Sequence, residues 1–267
     1  MIALTIAGSD SGGGAGIQAD LKTFAALGVY GASVVTALTA QNTLGVQAVH
    51  PVSADFVAAQ LTSVLSDLDV RAIKIGMVAD VAVIDRLAEM LAAVAVPVVL
   101  DPVMVAASGD RLVPEHAVAM LRERLFGVAT IVTPNLPEAG VLLGEASATS
   151  VEAMEAQALR LAERGPAVLL KGGHMTGRDS VDVLCVGGRT ERLSAPRIAT
   201  RNTHGTGCTL SSAIAASLAR GATLVEAVRT AKAYIAAAIA AADRLSVGRG
   251  HGPVHHFHAL WDVASSR

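Results

Sequence analysis

The sequence is poor in the features that mark several classes of protein. Among its 267 residues, only 3% are aromatic and 16% are charged, and the two cysteines are Cys185 and Cys208. So few cysteines exclude a disulfide-rich secreted scaffold and favour a reducing, cytoplasmic setting. The formal net charge is -2, which provides no basic surface of the kind that binds nucleic acid. We therefore expect no nucleic-acid partner.

Signals for membranes and secretion are missing as well. No apolar run reaches the ~18 residues that a membrane span requires. An alanine-rich stretch at 236–242 is bounded by Lys232 and Asp243, as in an amphipathic helix of a globular protein. The first residues form an apolar run with no basic segment before it, unlike a signal peptide. We expect neither a membrane partner nor secretion.

What the chain has in abundance is alanine, valine and leucine, within a hydrophobic content of 52%. Short continuous apolar runs alternate with segments of helical periodicity, which is typical of strands buried on both faces of a parallel sheet. This pattern predicts an α/β fold with a central, mostly parallel sheet flanked by helices, and a single domain over residues 1–267. The predicted strands are 2–6, 33–38, 72–75, 96–100, 130–133 and 167–170, followed by a hairpin of 181–186 and 189–193.

The most specific local signal is a glycine-rich entry into a predicted helix, Asn202–Thr209 (NTHGTGCT). Glycines allow the backbone to approach an anion closely, and a helix start offers free N–H groups and a positive dipole end. A helix entry without any ligand is the alternative. Cys208 lies at this start, where a thiol pKa is lowered, so it is either a base or nucleophile or a small buried residue. Cys185 fits the core of a strand.

Polar residues follow several predicted strands. Asn135 and Glu138 are three apart and share a helical face, which suits magnesium held through water, or alternatively a capping box. Asp101 ends one strand and can support a metal. Lys171 ends another and can contact nucleotide phosphate as a point charge. Either residue can also be a solvated strand terminus.

A glycine cluster at Gly8–Gly16 (GSDSGGGAG) follows the first strand. Its spacing fits neither a G-x-G-x-x-G dinucleotide motif nor a P-loop. Gln41 follows the second strand and either recognises a polar ring or is an ordinary loop amide. Near the end of the chain, His255 and His258 raise the possibility of zinc, but a structural turn that packs Phe257 and Trp261 is the favoured interpretation.

Taken in order and spacing, these motifs resemble the hydroxymethylpyrimidine/phosphomethylpyrimidine kinase family over essentially the whole chain. The segments that carry the resemblance are AGSDSGGGAGIQADLKT (7–23), TAQNTLG (39–45), KIGM (74–77), DPVM (101–104), TPNLPE (133–138), KGGH (171–174), NTHGTGCTLS (202–211) and GHGPVHHFH (250–258). The resemblance implies a ribokinase-like three-layer α/β/α fold, a homodimer, and two successive MgATP-dependent phosphorylations of one aminopyrimidine, first of its hydroxymethyl group and then of the resulting monophosphate.

The resemblance also implies roles for individual residues. It makes Gly205, Thr206, Gly207 and Cys208 an anion hole, with Cys208 at the position where the wider ribokinase group has a catalytic aspartate. It assigns Lys171, Asn135 and Thr206 to the nucleotide and Asp101, Asn135 and Glu138 to Mg²⁺. It places Gly8, Asp20, Gln41, Met77 and Val103 around the pyrimidine.

Two other functions fit the same scaffold. One is a pyridoxal kinase, against which Gln41 argues. The other is a non-catalytic protein that senses pyrimidines, against which the intact set of Cys208, Lys171, Asn135 and Glu138 argues.

Overall fold

The computed structural model describes residues 1–104 and 115–261 of the chain. The strands are β1 Ile2–Asp10, β2 Tyr30–Asn42, β3 Gly45–Pro51, β4 Val70–Ile75, β5 Val98–Leu100, β6 Ile131–Val132, β7 Ala167–Leu170, β8 Asp179–Val186 and β9 Arg189–Pro196. The helices are α1 Gly16–Ala26, α2 Ala54–Asp67, α3 Val81–Leu91, α4 Glu115–Met120, α5 Leu136–Leu143, α6 Val151–Ala162, α7 Thr206–Ala219 and α8 Leu224–Ala240. Helix α4 continues into a π-helical turn, Leu121–Leu125, and a 3₁₀ turn, Phe126–Val128.

One nine-stranded sheet joins all the strands in the order β3-β2-β1-β4-β5-β6-β7-β8-β9. Six adjacent strands of the sheet, β2, β1, β4, β5, β6 and β7, are parallel to one another. Strands β3, β8 and β9 are antiparallel to their neighbours. Side chains that alternate along the strands enter two separate cores. One core packs against α2 to α6 and the other against α1, α7 and α8. The expected three-layer α/β/α fold with a mostly parallel sheet is confirmed.

Two differences from the predicted strands lie at the β3–β2 edge of the sheet. Strand β3 was not predicted because most of its side chains are exposed, so that it lacks the apolar run that marks a buried strand. Strand β2 extends to Asn42, which places Gln41 inside the strand rather than after it. The predicted hairpin of β8 and β9 is confirmed. Within 1–104 and 115–261, none of the helices has both the length and the apolar character needed to cross a bilayer.

The sheet order also determines where a ligand can bind. The chain turns from β1 to β2 on one side and later places β4 on the other side of β1. Helix α1, after β1, contributes Phe24 to one core, whereas α3, after β4, packs in the other. The loops after β1 and β4 therefore diverge, and such a switch point at the carboxyl ends of parallel strands is where α/β proteins bind ligands.

Candidate functional site

Two glycine-rich loops lie against each other at this edge of the sheet. We call them the glycine loop (Gly12–Gly16) and the anion-binding loop (Gly205–Cys208). Gly205 has a φ of 78°, and a Cβ there would lie 1.9 Å from the carbonyl oxygen of Gly14. A Cβ on Gly14 would in turn lie 2.3 Å from Cδ2 of His204. Only glycine permits this approach of two backbones, so the sequence of both loops follows from their packing.

The anion-binding loop opens helix α7. Its N-cap, Gly205, has no side chain to bond the first turn, which leaves N–H groups of that turn for another acceptor. Thr206 turns its hydroxyl to the carbonyl oxygen of Thr203, 2.6 Å away, so its side chain is held back on the loop. The first turn of α7 therefore offers N–H groups that could bind an anion.

Cys208 differs from its expected chemistry. Burial raises the pKa of its thiol to about 11; Lys74 opposes this rise, while Asp20 and Asp101 add to it. The lowered thiol pKa that was expected at this helix start is therefore wrong. The half-buried thiol is protonated at neutral pH because desolvation and two carboxylates outweigh the helix end and the lysine.

Charged side chains from two strand ends lie beside the anion-binding loop. Nζ of Lys171, after β7, donates to Oδ1 of Asp101, after β5, at 2.7 Å. A Cβ on Gly207 would lie 3.3 Å from that Nζ and 3.4 Å from Oδ2 of Asp101. The structure therefore brings together three of the predicted site residues, Gly207, Lys171 and Asp101.

Asn135 and Glu138 form the capping box that the sequence left as the alternative. Oδ1 of Asn135 accepts from the N–H of Glu138 at 2.9 Å, and Oε2 of Glu138 accepts from the N–H of Asn135 at 2.7 Å. Burial raises the pKa of Glu138 to about 7, with Lys171 opposing and Asp101 adding to the rise. The capping box does not exclude a role at the metal, because it occupies only part of each group's bonding capacity.

These carboxylates and amide fit magnesium in one respect only. They are hard oxygen donors, and a bound cation would stabilise the ionised form of Glu138, which burial disfavours. Among the residues that the structure describes, however, no three His, Cys, Asp or Glu side chains are close enough to hold a metal ion by themselves. A magnesium ion here would depend on water and on nucleotide phosphate for most of its ligands, as is usual for this ion.

A second lysine–aspartate pair lies nearby and is fully sealed. Lys74 and Asp20 have side chains 0% exposed and are joined at 2.8 Å. The same carboxylate accepts from the hydroxyls of Thr5 at 2.6 Å and Ser212 at 2.7 Å. The expected place of Asp20 beside a pyrimidine is not what the structure shows: its oxygens are occupied by partners from β1, β4 and α7.

Sequence reasoning missed Lys74, although it begins the KIGM segment. Although burial opposes its charge, Asp20 raises the pKa of Lys74 above its ordinary value, so the lysine stays protonated. A lysine in the middle of an apolar run, VRAIKI, was the available signal. It needs a buried counter-ion, and the sequence alone does not reveal which carboxylate supplies it.

The remaining residues predicted to line the pyrimidine pocket lie at the switch point. A Cβ on Gly8 would meet Cε of Met77 at 2.6 Å, which places Met77 directly over the end of β1. Met77 also lines a cleft of about 190 Å³ with apolar neighbours from β2 and β3. Val103 is half-buried, and its N–H donates to the carbonyl oxygen of Asp101 at 2.8 Å. The structure thus joins Gly8 to Met77 and Val103 to Asp101.

Gln41 lies at the end of β2, against the glycine loop. Its backbone N–H donates to Oγ of Ser11 at 2.8 Å, and the same hydroxyl donates to its carbonyl oxygen at 2.9 Å. The hydroxyl of Thr39 lies 3.1 Å from its side-chain amide and 2.9 Å from the carbonyl oxygen of Ser9, to which it donates. The residue is half-buried, so that part of the amide remains accessible, as ring recognition requires.

Asp10 is a further residue that the sequence analysis did not single out. Its carboxylate accepts from the N–H groups of Gly12 at 2.8 Å, Gly14 at 3.0 Å and Ala15 at 2.8 Å. It therefore determines the shape of the glycine loop. An aspartate two residues before a run of glycines was the signal, since its side chain bonds backbone N–H groups that follow it.

The histidine-rich segment packs as a structural turn. The rings of Phe257 and Trp261 stack at 4.8 Å, and His255 meets Trp261 edge-on at 5.7 Å. His258 packs against Tyr234 at 5.2 Å. Over the described part of the chain no metal-binding group of histidine, cysteine and carboxylate side chains occurs, so the structure favours the turn over zinc.

The fold and this site define a class before any comparison. A helix start with free N–H groups at the carboxyl edge of a ribokinase-like α/β/α sandwich, next to a lysine–aspartate pair of which the lysine is partly accessible, is the arrangement of a small-molecule phosphotransferase. Residues 10–255 match the phosphomethylpyrimidine kinase family. The chain belongs to this family.

Individual relatives agree with the family. The hydroxymethylpyrimidine/phosphomethylpyrimidine kinase of Rhizobium meliloti is 59% identical over 97% of this chain and 98% of its own. The phosphomethylpyrimidine kinase of Clostridium difficile 630 is 43% identical, with a TM-score of 0.78 over 88% of this chain and 97% of its own. The pyridoxal kinase of Staphylococcus aureus, solved with AMP-PCP and pyridoxal, is 35% identical, with a TM-score of 0.89 over 98% of this chain and 95% of its own.

Proposed function

We propose that this protein uses ATP to phosphorylate 4-amino-5-hydroxymethyl-2-methylpyrimidine, and then phosphorylates the product again to give the diphosphate, as a step of thiamine biosynthesis. The observation that carries the proposal is the contact between the anion-binding loop and the Lys171–Asp101 pair, at the edge where Gln41 and Met77 lie. The family match and the named relatives support the substrate class.

The proposed role of each site residue follows from the chemistry of phosphoryl transfer. Phosphoryl transfer is catalysed chiefly by positioning and by stabilising charge on the moving group. The amides of Gly205–Cys208 stabilise that charge, and Lys171 binds nucleotide phosphate as a fixed positive charge. Asp101, Asn135 and Glu138 would support Mg²⁺, which supplies charge neutralisation at the phosphates when bound.

Cys208 acts in this proposal through its backbone N–H. A thiol with a pKa of about 11 is a poor proton acceptor at neutral pH. The transition state of phosphoryl transfer is largely dissociative, so the hydroxyl need not lose its proton early. The thiol then packs beside the acceptor without serving as the base.

Pyridoxal is the second candidate substrate, and the resemblance in shape to the pyridoxal kinase favours it. The higher sequence identity to the hydroxymethylpyrimidine/phosphomethylpyrimidine kinase and the position of Gln41 favour the aminopyrimidine. An exocyclic NH₂ beside a ring nitrogen matches the acceptor and donor of a glutamine amide, whereas pyridoxal offers a phenolic oxygen and an aldehyde. Gly8, Met77 and Val103 would supply apolar walls.

An ATP-consumption assay with each compound separates the candidates. We expect hydroxymethylpyrimidine to be the preferred substrate by kcat/KM, and Gln41→Met to lower that value by roughly tenfold or more while pyridoxal use stays level or rises. A wild-type protein that prefers pyridoxal would overturn the substrate assignment. One that binds the pyrimidine without consuming ATP would support the sensing function instead.

The wider organisation is also a proposal. We propose a single kinase domain over 1–267, a cytoplasmic location consistent with the free Cys185 and Cys208, and a homodimer. Exposed apolar side chains near the edge strand β3 support the dimer: Leu38 is 50% exposed, Val49 48% and Phe56 62%. Light scattering should give twice the chain mass of 27.1 kDa, and Phe56→Glu should lower it; a monomer at every concentration would contradict the dimer.

A further inference from the structure

The imidazole of His204 connects the two glycine-rich loops to Gln41. Its side chain is only 11% exposed, and Nε2 lies 2.9 Å from Oδ2 of Asp10 and 3.5 Å from Nε2 of Gln41. The backbone of His204 is fixed as well, because its N–H donates to Gly252 and its carbonyl accepts from Val254. None of the roles assigned above uses this ring, although it immediately precedes the anion-binding loop.

The hydrogen on Nε2 of His204 can be assigned from its partner. Although burial opposes ionisation, hydrogen bonds from His204, Ala15 and Gly12 hold the pKa of Asp10 below its usual value. An ionised carboxylate can only accept hydrogen bonds. Nε2 of His204 therefore carries the hydrogen and donates it to Asp10, an assignment made from the bonding network.

This assignment has a consequence for Gln41. The hydrogen on Nε2 of His204 also faces the side-chain amide of Gln41 at 3.5 Å. Because a donor is matched by an acceptor, it favours the orientation in which the amide oxygen, and not the NH₂ group, turns towards His204; the two ends of an amide are assigned from such partners. The hydroxyl of Thr39 donates to the carbonyl oxygen of Ser9 at 2.9 Å and can accept from that NH₂ group. Ser11 holds the backbone of Gln41 on both sides. The amide is thus held in one orientation, and the second hydrogen of its NH₂ group is left for a ligand.

We propose that His204 is a positioning residue for ring recognition. By donating to Asp10 it holds the glycine loop against the anion-binding loop, and by presenting a donor to Gln41 it fixes which way that amide faces. The distance between the recognised ring and the transferred phosphoryl group then depends on His204. This inference rests on the proposed function, since it assumes that Gln41 contacts the ring.

The test compares three substitutions of the same side chain. Glutamine can place an amide N–H close to the position of Nε2, asparagine places one closer to Nδ1, and leucine has none. We expect His204→Leu and His204→Asn to raise the KM and the calorimetric Kd for hydroxymethylpyrimidine by about tenfold or more, with the preference over pyridoxal reduced. His204→Gln should stay within about threefold of the wild type, and all variants should keep their KM for ATP.

His251→Gln is the matched control. His251 lies in the histidine-rich segment, residues 250–258. Its imidazole is exposed and faces the carbonyl oxygen of Arg201 at 3.2 Å. Its replacement should leave both affinities unchanged. Melting temperatures identify any variant that fails to fold, and the comparison of glutamine with asparagine remains decisive if leucine is one of them.

A double substitution tests the route through Gln41. If His204 acts by orienting that amide, His204→Leu combined with Gln41→Met should be no worse than the more damaging single change. The inference would be overturned if the affinity losses of the two substitutions multiplied in the double variant. It would also be overturned if His204→Asn kept the affinity as well as His204→Gln does, or if the variants lost affinity equally for the pyrimidine and for ATP. Failure of the proposed function is distinct, because it would appear in the wild type as a lack of phosphorylation of the pyrimidine.

Discussion

Two lysine–aspartate pairs lie near the start of helix α7, and they differ chiefly in access to solvent. Lys74 and Asp20 are 0% exposed, whereas Lys171 is 14% exposed and Asp101 2%. The sealed pair has its oxygens occupied by Thr5 and Ser212. The open pair faces Gly207, whose missing side chain leaves room beside both charges. The same chemistry therefore serves two purposes: one pair joins β1, β4, α1 and α7, and the other remains available to an anion.

The largest expected effect is loss of stability when the sealed pair is broken. Lys74→Met leaves the carboxylate of Asp20 buried without its counter-ion, and such a change costs about 3–5 kcal/mol. Urea denaturation of the variant measures it. Adding Asp20→Leu should recover most of the loss, since a buried pair can be replaced by apolar residues at little cost. A loss below about 1 kcal/mol for Lys74→Met would show that the two pairs are not so different.

The open pair should behave in the opposite way. Lys171→Met removes a positive charge from the phosphate site, so kcat/KM should fall by roughly 10²-fold or more while the folded state is largely kept. Lys232→Met is a matched control, because Lys232 is 12% exposed and pairs with Asp182 at 2.7 Å. A similar loss of activity in both variants would point to stability as the shared cause.

Access to the open pair can be closed without removing a charge. A valine at position 207 would bring its Cβ to within 3.3 Å of Nζ of Lys171, so Gly207→Val should lower both phosphorylations by more than about tenfold. Gly127→Val is the control, because a Cβ there meets nothing within 4 Å. Retention of both activities in a folded Gly207→Val protein would show that the anion site lies elsewhere.

The thiol of Cys208 is influenced by residues of both pairs, and its role can be tested separately in the two phosphorylations. Because burial raises the pKa of its thiol to about 11, Cys208→Ala should slow the two phosphorylations equally, by less than about tenfold. Single-turnover measurements on hydroxymethylpyrimidine and on its monophosphate give the two rates. A loss confined to the first step and reaching 10²-fold or more would restore the thiol as a base.

A buried group without a counter-ion sharpens the contrast with both pairs. Burial lowers the pKa of His256 to about 3, with Lys22, His255 and His204 adding to the effect. The unfolded chain binds a proton near pH 6.5, and the folded chain does not, so stability is present above that pH and is lost as pH falls from about 6.5 towards 3. At pH 5.5 the loss from this group is about 1.4 kcal/mol.

The measurement is the free energy of unfolding at pH 7.5 and pH 5.5 for the wild type and for His256→Gln. Glutamine can still bond Thr209, whose hydroxyl lies 3.1 Å from Nε2 of His256, but does not titrate. The difference between the two pH values should shrink by roughly that amount in the variant. An unchanged difference would mean that His256 is protonated in the folded protein.

Much of this molecule could be predicted from the sequence because the signals are local. Continuous apolar runs identified the buried strands of the parallel region, and the glycines at 205 and 207 identified the helix start, since close backbone approach requires glycine. Strand β3 could not be found in this way, because its exposed side chains give no apolar run. Its pairing with β2 is a long-range hydrogen-bond pattern that no single run encodes.

What only the tertiary structure decided is which charges meet and how dry their surroundings are. The sequence contains Asp20, Lys74, Asp101, Lys171 and Cys208 without any indication that Lys74 and Asp20 lie 2.8 Å apart with no solvent contact. The pKa of a thiol or carboxylate depends on desolvation and on neighbours from other elements of the sheet. Residue type and spacing therefore determined the fold class and the anion-binding loop, whereas burial, which is a property of the folded chain, decided the protonation of Cys208 and the separate roles of the two lysine–aspartate pairs.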